Sequence, residues 1–185
     1  MTMNQDGNAS PGVDGMETGS TIDALVRHAT RAPQSIAYLD EVGSVTFGAL
    51  HAAARRGAAW LSHEGVRSGD TVAMALDSSP AGARRALELF YAAGWIGAVI
   101  LPLFPDVPKA ARIDLIKRYS ANWLLASGAP PQVAQARSLD PLRFDPRDPG
   151  RDDLVPPRGD HPHAGFVYVF TSGTTGSSKT LLSTH

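Results

Sequence analysis

Cysteine is absent from the 185 residues of this chain, and an excess of charge is absent as well. Without cysteine there can be no disulfide, no thiolate metal site and no cysteine nucleophile, which is compatible with a reducing compartment. The formal net charge is −1, so neither sign of charge favours nucleic acid or an acidic membrane surface as a partner. The absence of cysteine therefore excludes disulfide-stabilised proteins, thiolate metalloproteins and enzymes with a cysteine nucleophile before any motif is considered.

Long apolar runs are also missing. No stretch reaches the roughly 18 apolar residues that a membrane-spanning helix requires, and the N-terminus has no basic segment followed by an apolar one. We therefore predict a cytoplasmic protein without a membrane span. The six histidines show no spacing that is typical of metal ligands, so no metal site is predicted.

The first 20 residues lack lysine and arginine and contain four glycines and three acidic residues. No apolar period appears among them, which predicts a disordered leader over residues 1–20. Order is expected to begin with a helix at Ser20 or Thr21, because either side chain could cap it and Asp23 would lie in its first turn.

Helical and extended patterns alternate from residue 21 to residue 140. Helices are predicted at 47–63, from Ser79-Pro80 to a stop at Gly94, and at 108–119, with strands at 71–76, 98–103 and 123–126. A short hairpin is expected at 36–46. Gly65 should cap the C-terminus of the helix at 47–63. Strands that alternate with helices predict an α/β fold with a mostly parallel layered sheet and flanking helices.

Composition changes at residue 141. Residues 141–163 contain six prolines and nine charged residues, which predicts an exposed connection. The arginine pairs at 55–56 and 84–85 lie on predicted helices, where solvated faces are the expectation. Residues 164–185 form the last predicted unit, a strand of valines and aromatics followed directly by a polar loop.

That polar loop, 171–179, is the most informative segment of the chain. Its two glycines can adopt positive φ and approach an anion closely, its hydroxyls can donate hydrogen bonds, and its lysine supplies a compact positive charge. A flexible linker rarely follows a buried strand so directly. The predicted phosphate-binding residues are Thr171, Ser172, Gly173, Thr174, Thr175, Gly176 and Lys179.

A Walker A loop is the main competing motif, and it fits poorly. Gly173 and Gly176 are three residues apart, and Lys179 follows Ser178 where that motif has glycine. A Walker A lysine also opens a helix, whereas Leu181-Leu182 indicates a continuing strand or hairpin.

Residues 170–185 resemble the phosphate-binding signature of the adenylate-forming enzymes, a superfamily of acyl-CoA synthetases, peptide-synthetase adenylation domains and luciferases. The pattern is approximately an aromatic residue, T-S-G-[ST]-T-G-x-P-K-G, an apolar pair and often Thr-His. Ser178 stands where proline is usual, and Thr180 where glycine is usual. Weaker likenesses at 46–50, 69–73, 79–94 and 101–103 extend the resemblance over roughly residues 21–185.

The resemblance implies ATP and Mg²⁺ as cofactors of a complete enzyme, which would join a carboxylic acid to AMP and then to a thiol such as coenzyme A. It also implies that the Mg²⁺ ligand, the ribose contact and a catalytic lysine lie downstream of the loop. The expectation is therefore an N-terminal portion, truncated after its phosphate loop, without catalytic residues of its own and inactive alone. A non-catalytic module that binds a nucleotide or a partner subunit is the alternative.

Overall fold

The computed structural model describes residues 20–77, 79–127, 132–156, 165–171 and 179–184. The predicted leader, 1–19, lies outside these ranges. Four α-helices are described: α1 (Thr21–Arg31), α2 (Phe47–Glu64), α3 (Pro80–Ile96) and α4 (Lys109–Arg118). The eight described strands are β1 (Ile36–Asp40), β2 (Gly43–Thr46), β3 (Thr71–Ala75), β4 (Val99–Pro102), β5 (Trp123–Ala126), β6 (Arg137–Leu139), β7 (Gly165–Thr171) and β8 (Lys179–Thr184). Two short 3₁₀ helices, Pro141–Arg143 and Pro149–Leu154, follow β6.

Six strands form one sheet in the order β6-β5-β3-β4-β7-β8, and β1 pairs with β2 separately. Every neighbouring pair of the large sheet is parallel except β7 and β8, which are antiparallel. The predicted α/β class with a mostly parallel sheet is thus confirmed. Parallel pairing requires crossover connections, and helices α3 and α4 supply two of them.

Alternate strand residues enter two cores, one on each face of the sheet. Val72 and Met74 of β3 pack with α2 and α3, whereas Ala73 between them packs with Ile116 of α4. A smaller cluster joins α1 to α2 through Leu25 and Leu50. The sheet is therefore covered by helices on both faces, as buried parallel strands require.

The predicted helix boundaries hold where a cap defines them. Ser20 and Asp23 form a capping box at α1, and Ser79 caps α3 ahead of Pro80 at the first helical position. Gly65 ends α2 in the left-handed conformation, with φ of 110°.

Gly94 does not end α3, and that prediction was wrong. The helix continues to Ile96, and Gly97 is the left-handed cap, with φ of 83°. Gly94 lacks a side chain for a packing reason: a β-carbon there would lie 2.5 Å from Cε2 of Phe166 in β7 and 2.9 Å from Cδ1 of Ile22. The residue therefore permits close approach of helix and strand.

The sequence predicts an exposed connection at 141–163, but part of this segment is buried against the fold. In its described part, Phe144 is 1% exposed and its ring stacks on Trp60 of α2 at a centroid distance of 5.7 Å. Asp152 forms an ion pair with Arg56 of the same helix. Residues 157–163 lie outside the described ranges.

Candidate phosphate-binding site

Strands β7 and β8 form the antiparallel hairpin that encloses the candidate loop. Thr171, the last residue of β7, is paired with Lys179, the first residue of β8. Of the predicted phosphate-binding residues, these two lie within the described backbone, opposite each other. Ser172, Gly173, Thr174, Thr175 and Gly176 lie outside the described residues. Lys179 begins a strand rather than a helix, which confirms the hairpin and argues against a Walker A loop.

The hairpin opens at the carboxyl edge of the parallel strands. β7 runs parallel to β4, and β4 runs parallel to β3, so Thr171 lies at the same edge as the ends of those strands. In open α/β sheets, ligands bind outside the carboxyl ends of the strands. The topology therefore brings the candidate loop to the edge where a ligand is expected.

Asp77 and Ser79 occupy the connection that follows β3 at this edge. The backbone N–H of Ser79 donates to Oδ1 of Asp77 at 3.0 Å, and the Ser79 hydroxyl donates to the same oxygen. The hydroxyl, followed by the backbone N–H, lowers the pKa of Asp77 because both bonds favour the carboxylate. A β-carbon at Gly82 would contact Asp77, so this carboxylate is packed against the start of α3. The described contacts of Asp77 therefore indicate a structural role at the start of α3.

An apolar cavity of about 460 Å³ lies beside α3 at the same edge. Met74 and Leu76 line it from β3 and the residues that follow, Phe90 from α3, and Val167 from β7. Phe104, after β4, also lines it and is 54% exposed. The strand that leads into the candidate loop therefore borders an apolar surface.

Arginines line a second cavity, of about 640 Å³, between β2, α2 and α3. Arg84 binds Asp40 with Nη2 at 2.8 Å from Oδ1, and Nη1 of Arg85 lies 3.1 Å from Oε2 of Glu88. These residues and Arg56 are ion-paired, so the predicted solvated faces are wrong for them. The partners of Arg84 and Arg56 could not be predicted from the sequence, because Asp40 and Asp152 are 44 and 96 residues away from the arginines that they bind.

Glu88 is the buried acid of this second cavity, with 8% of its surface exposed. Burial raises the pKa of Glu88, and the nearby Arg85 partly opposes the rise. The charges of the cavity are largely neutralised within the protein, which gives no reason to assign it an ionic ligand.

A metal site is not formed by the part of the chain that the structure describes. No group of three or more metal-ligating His, Asp or Glu side chains comes together there. Among the same residues, no helix is both long and apolar enough to cross a membrane.

The sequence model of the AMP-binding enzyme family matches residues 25–185. The chain therefore belongs to the AMP-binding family of adenylate-forming ligases. It is 30% identical over 175 residues to malformin synthetase of Aspergillus niger, a match that covers 94% of this chain and 3% of that protein.

Two solved structures share the fold. The fatty acyl-adenylate ligase of L. pneumophila, in complex with acyl adenylate and pyrophosphate, superposes with a TM-score of 0.73 at 17% identity, covering 90% of this chain and 30% of that one. The o-succinylbenzoate coenzyme A synthetase of Bacillus subtilis, in complex with AMP, gives 0.69 at 22% identity, covering 90% and 42%. The present chain thus spans less than half the length of these relatives.

Proposed function

We propose that this chain is the N-terminal, ATP-phosphate-binding portion of a carboxylate-activating ligase. In the proposed reaction a carboxylate oxygen attacks the α-phosphorus of ATP, the bond from that phosphorus to the β-bridging oxygen breaks, and pyrophosphate leaves with the electron pair. The acyl adenylate would then pass its acyl group to a thiol such as coenzyme A. Family membership supports the first step, and the cytoplasm is the proposed location.

The hairpin is the observation that carries the proposal. β7 and β8 flank the segment of glycines and hydroxyl residues at the carboxyl edge of a parallel sheet, where donors on that segment would be within reach of an anion. We assign Thr171, Ser172, Gly173, Thr174, Thr175 and Gly176 to the β- and γ-phosphates as hydrogen-bond donors. Lys179 would neutralise charge that builds up on the departing pyrophosphate.

Mg²⁺ is expected to accompany ATP, but the described residues provide no ligand set for it. The contribution assigned to this chain is to bind and orient the phosphates, which lowers the barrier by position and charge rather than by proton transfer.

Binding of inorganic triphosphate to the 185-residue chain tests the phosphate assignment directly, by titration calorimetry. We expect Lys179→Ala to weaken binding by about tenfold or more, since a charge-assisted contact contributes about 1.5–3 kcal/mol. Lys117→Ala, which removes an exposed lysine from α4, is the matched control and should leave the affinity unchanged. Equal effects of the two substitutions, or no binding by the wild type, would overturn the assignment.

A further inference from the structure

We propose that Tyr119 is a positioning residue for the candidate phosphate loop and that it acts through the hydroxyl of Thr180. The inference rests on the proposed function, because it concerns where Lys179 is held. Thr180 follows Lys179 directly, and the Tyr119 hydroxyl donates a hydrogen bond of 2.6 Å to its Oγ1. The atoms belong to different layers of the fold, since Tyr119 is the C-cap residue of α4 and Thr180 lies in β8.

Both strands of the hairpin contact Tyr119, and two of the contacting residues, Phe170 and Thr180, are cross-strand partners. Thr180 is paired with Phe170 across the hairpin, one step away from the pair that closes the loop. The Phe170 ring meets Tyr119 edge to face at 6.2 Å, and Tyr168 packs on it at 4.5 Å. Tyr119 thus contacts both strands next to the ends of the loop, β7 through its ring and β8 through a hydrogen bond.

Tyr119 is itself held firmly by the end of α4. Its backbone N–H donates to the carbonyl of Leu115 at 3.0 Å, and Ala121 closes the turn with a bond of 3.0 Å to Ile116. Ser120 between them has a positive φ of 49°, which turns the chain sharply. The hydroxyl therefore projects from a fixed helix end toward the sheet.

β8 needs such support because it is the last strand in the described sheet and pairs on one side with β7. A threonine at position 180 also departs from the glycine that the signature favours. Here the departure has a use, since glycine offers no hydroxyl to Tyr119. A lysine on a well-placed strand loses less conformational freedom when it binds phosphate, and this is how the hydrogen bond would increase affinity.

Amide hydrogen exchange of the 185-residue chain, without ligand, tests whether the hydrogen bond holds β8. Tyr119→Phe and Thr180→Val each remove one partner and keep the shape. We expect either to speed exchange at 179–182 severalfold, the double variant to add little, and Thr180→Ser to restore protection. Tyr168→Phe, which removes a hydroxyl from the neighbouring ring, should leave exchange unchanged. Unchanged exchange in Tyr119→Phe would overturn the inference.

Triphosphate affinity tests whether the hydrogen bond acts through Lys179. A net hydrogen bond corresponds to about a two- to tenfold change in affinity. We expect that loss in Tyr119→Phe and in Thr180→Val, recovery in Thr180→Ser, and no further loss when Tyr119→Phe is added to Lys179→Ala. A purely structural effect would weaken binding in the lysine variant as well.

The outcomes separate this inference from the proposed function. If the wild-type chain fails to bind triphosphate, the phosphate assignment is wrong, and the positioning role is withdrawn with it whatever the exchange data show. If wild type binds and Lys179→Ala weakens binding while Tyr119→Phe does not, the proposed function stands and this inference fails.

Discussion

The role proposed for Lys179 predicts different effects on adenylation and on AMP binding. The proposed contact is with the pyrophosphate part of ATP, which AMP lacks. In a complete ligase that carries this segment, we expect Lys179→Ala to slow adenylation by about ten- to a hundredfold and to change AMP affinity much less. Pyrophosphate exchange and AMP titration measure the two effects. Equal losses would place the lysine elsewhere in the site.

Glu88 makes stability depend on pH in a direction that is unusual for an acid. Its pKa is raised above the ordinary value of 4.5 by burial, with Arg85 opposing. As pH rises past that value, the unfolded state releases the proton before the folded state does, so stability from this group falls. Asp77 and Asp152 have lowered pKa values and act oppositely, so the comparison must be with Glu88→Gln.

The expected result is a difference curve for Glu88. The free energy of unfolding of the wild type minus that of Glu88→Gln should decrease as pH rises above about 4.5, in urea titrations at successive pH values. A difference that is flat or increases with pH would show that Glu88 is not held with a raised pKa.

At the scale of elements, the segment after β6 should depend on one aromatic anchor. Phe144→Ala removes a buried ring that stacks on Trp60 and lies under Arg85, so we expect a loss of about 3–5 kcal/mol in stability. Leu142→Ala, two residues away and 77% exposed, should change stability by less than about 0.5 kcal/mol. Chemical denaturation measures both, and similar losses would contradict the anchoring role.

The elements that could be predicted from the sequence are those with local signals. Ser79-Pro80 and Gly65 mark helix ends by capping chemistry, which operates within a few residues. β6, three residues with two exposed positions, has no such pattern and was missed. Gly94 was misread because the reason for it, Phe166, lies 72 residues further along the chain.

The candidate site also has residues with a local sequence signal and residues without one. The loop composition indicated an anion and the hairpin after Lys179, and the hairpin is confirmed. Tyr119 gave no signal, because its hydrogen bond to Thr180 joins residues 61 positions apart. The ion pairs of Arg56 and Arg84 were missed for the same reason.

For the whole molecule, the span of the match decides what activity to expect. The chain covers 30% and 42% of the two solved relatives, so the 185-residue polypeptide assayed by itself should support no measurable carboxylate-dependent exchange of pyrophosphate into ATP. The proposed function assigns only phosphate contacts to the loop, so we expect the affinity of this polypeptide for ATP to be weak. Exchange activity that Lys179→Ala abolishes would contradict this expectation.

The outer edge of β8 has a practical consequence for handling the purified polypeptide. In β8, the last strand of the described sheet, Leu181 is 61% exposed and Leu182 is 48% exposed. The backbone groups of β8 that face away from β7 pair with no other described strand. Such an edge can pair with a strand of another copy, so aggregation should increase with protein concentration. Leu181→Lys should improve solubility, because a charge on an edge strand opposes pairing of that strand with another copy.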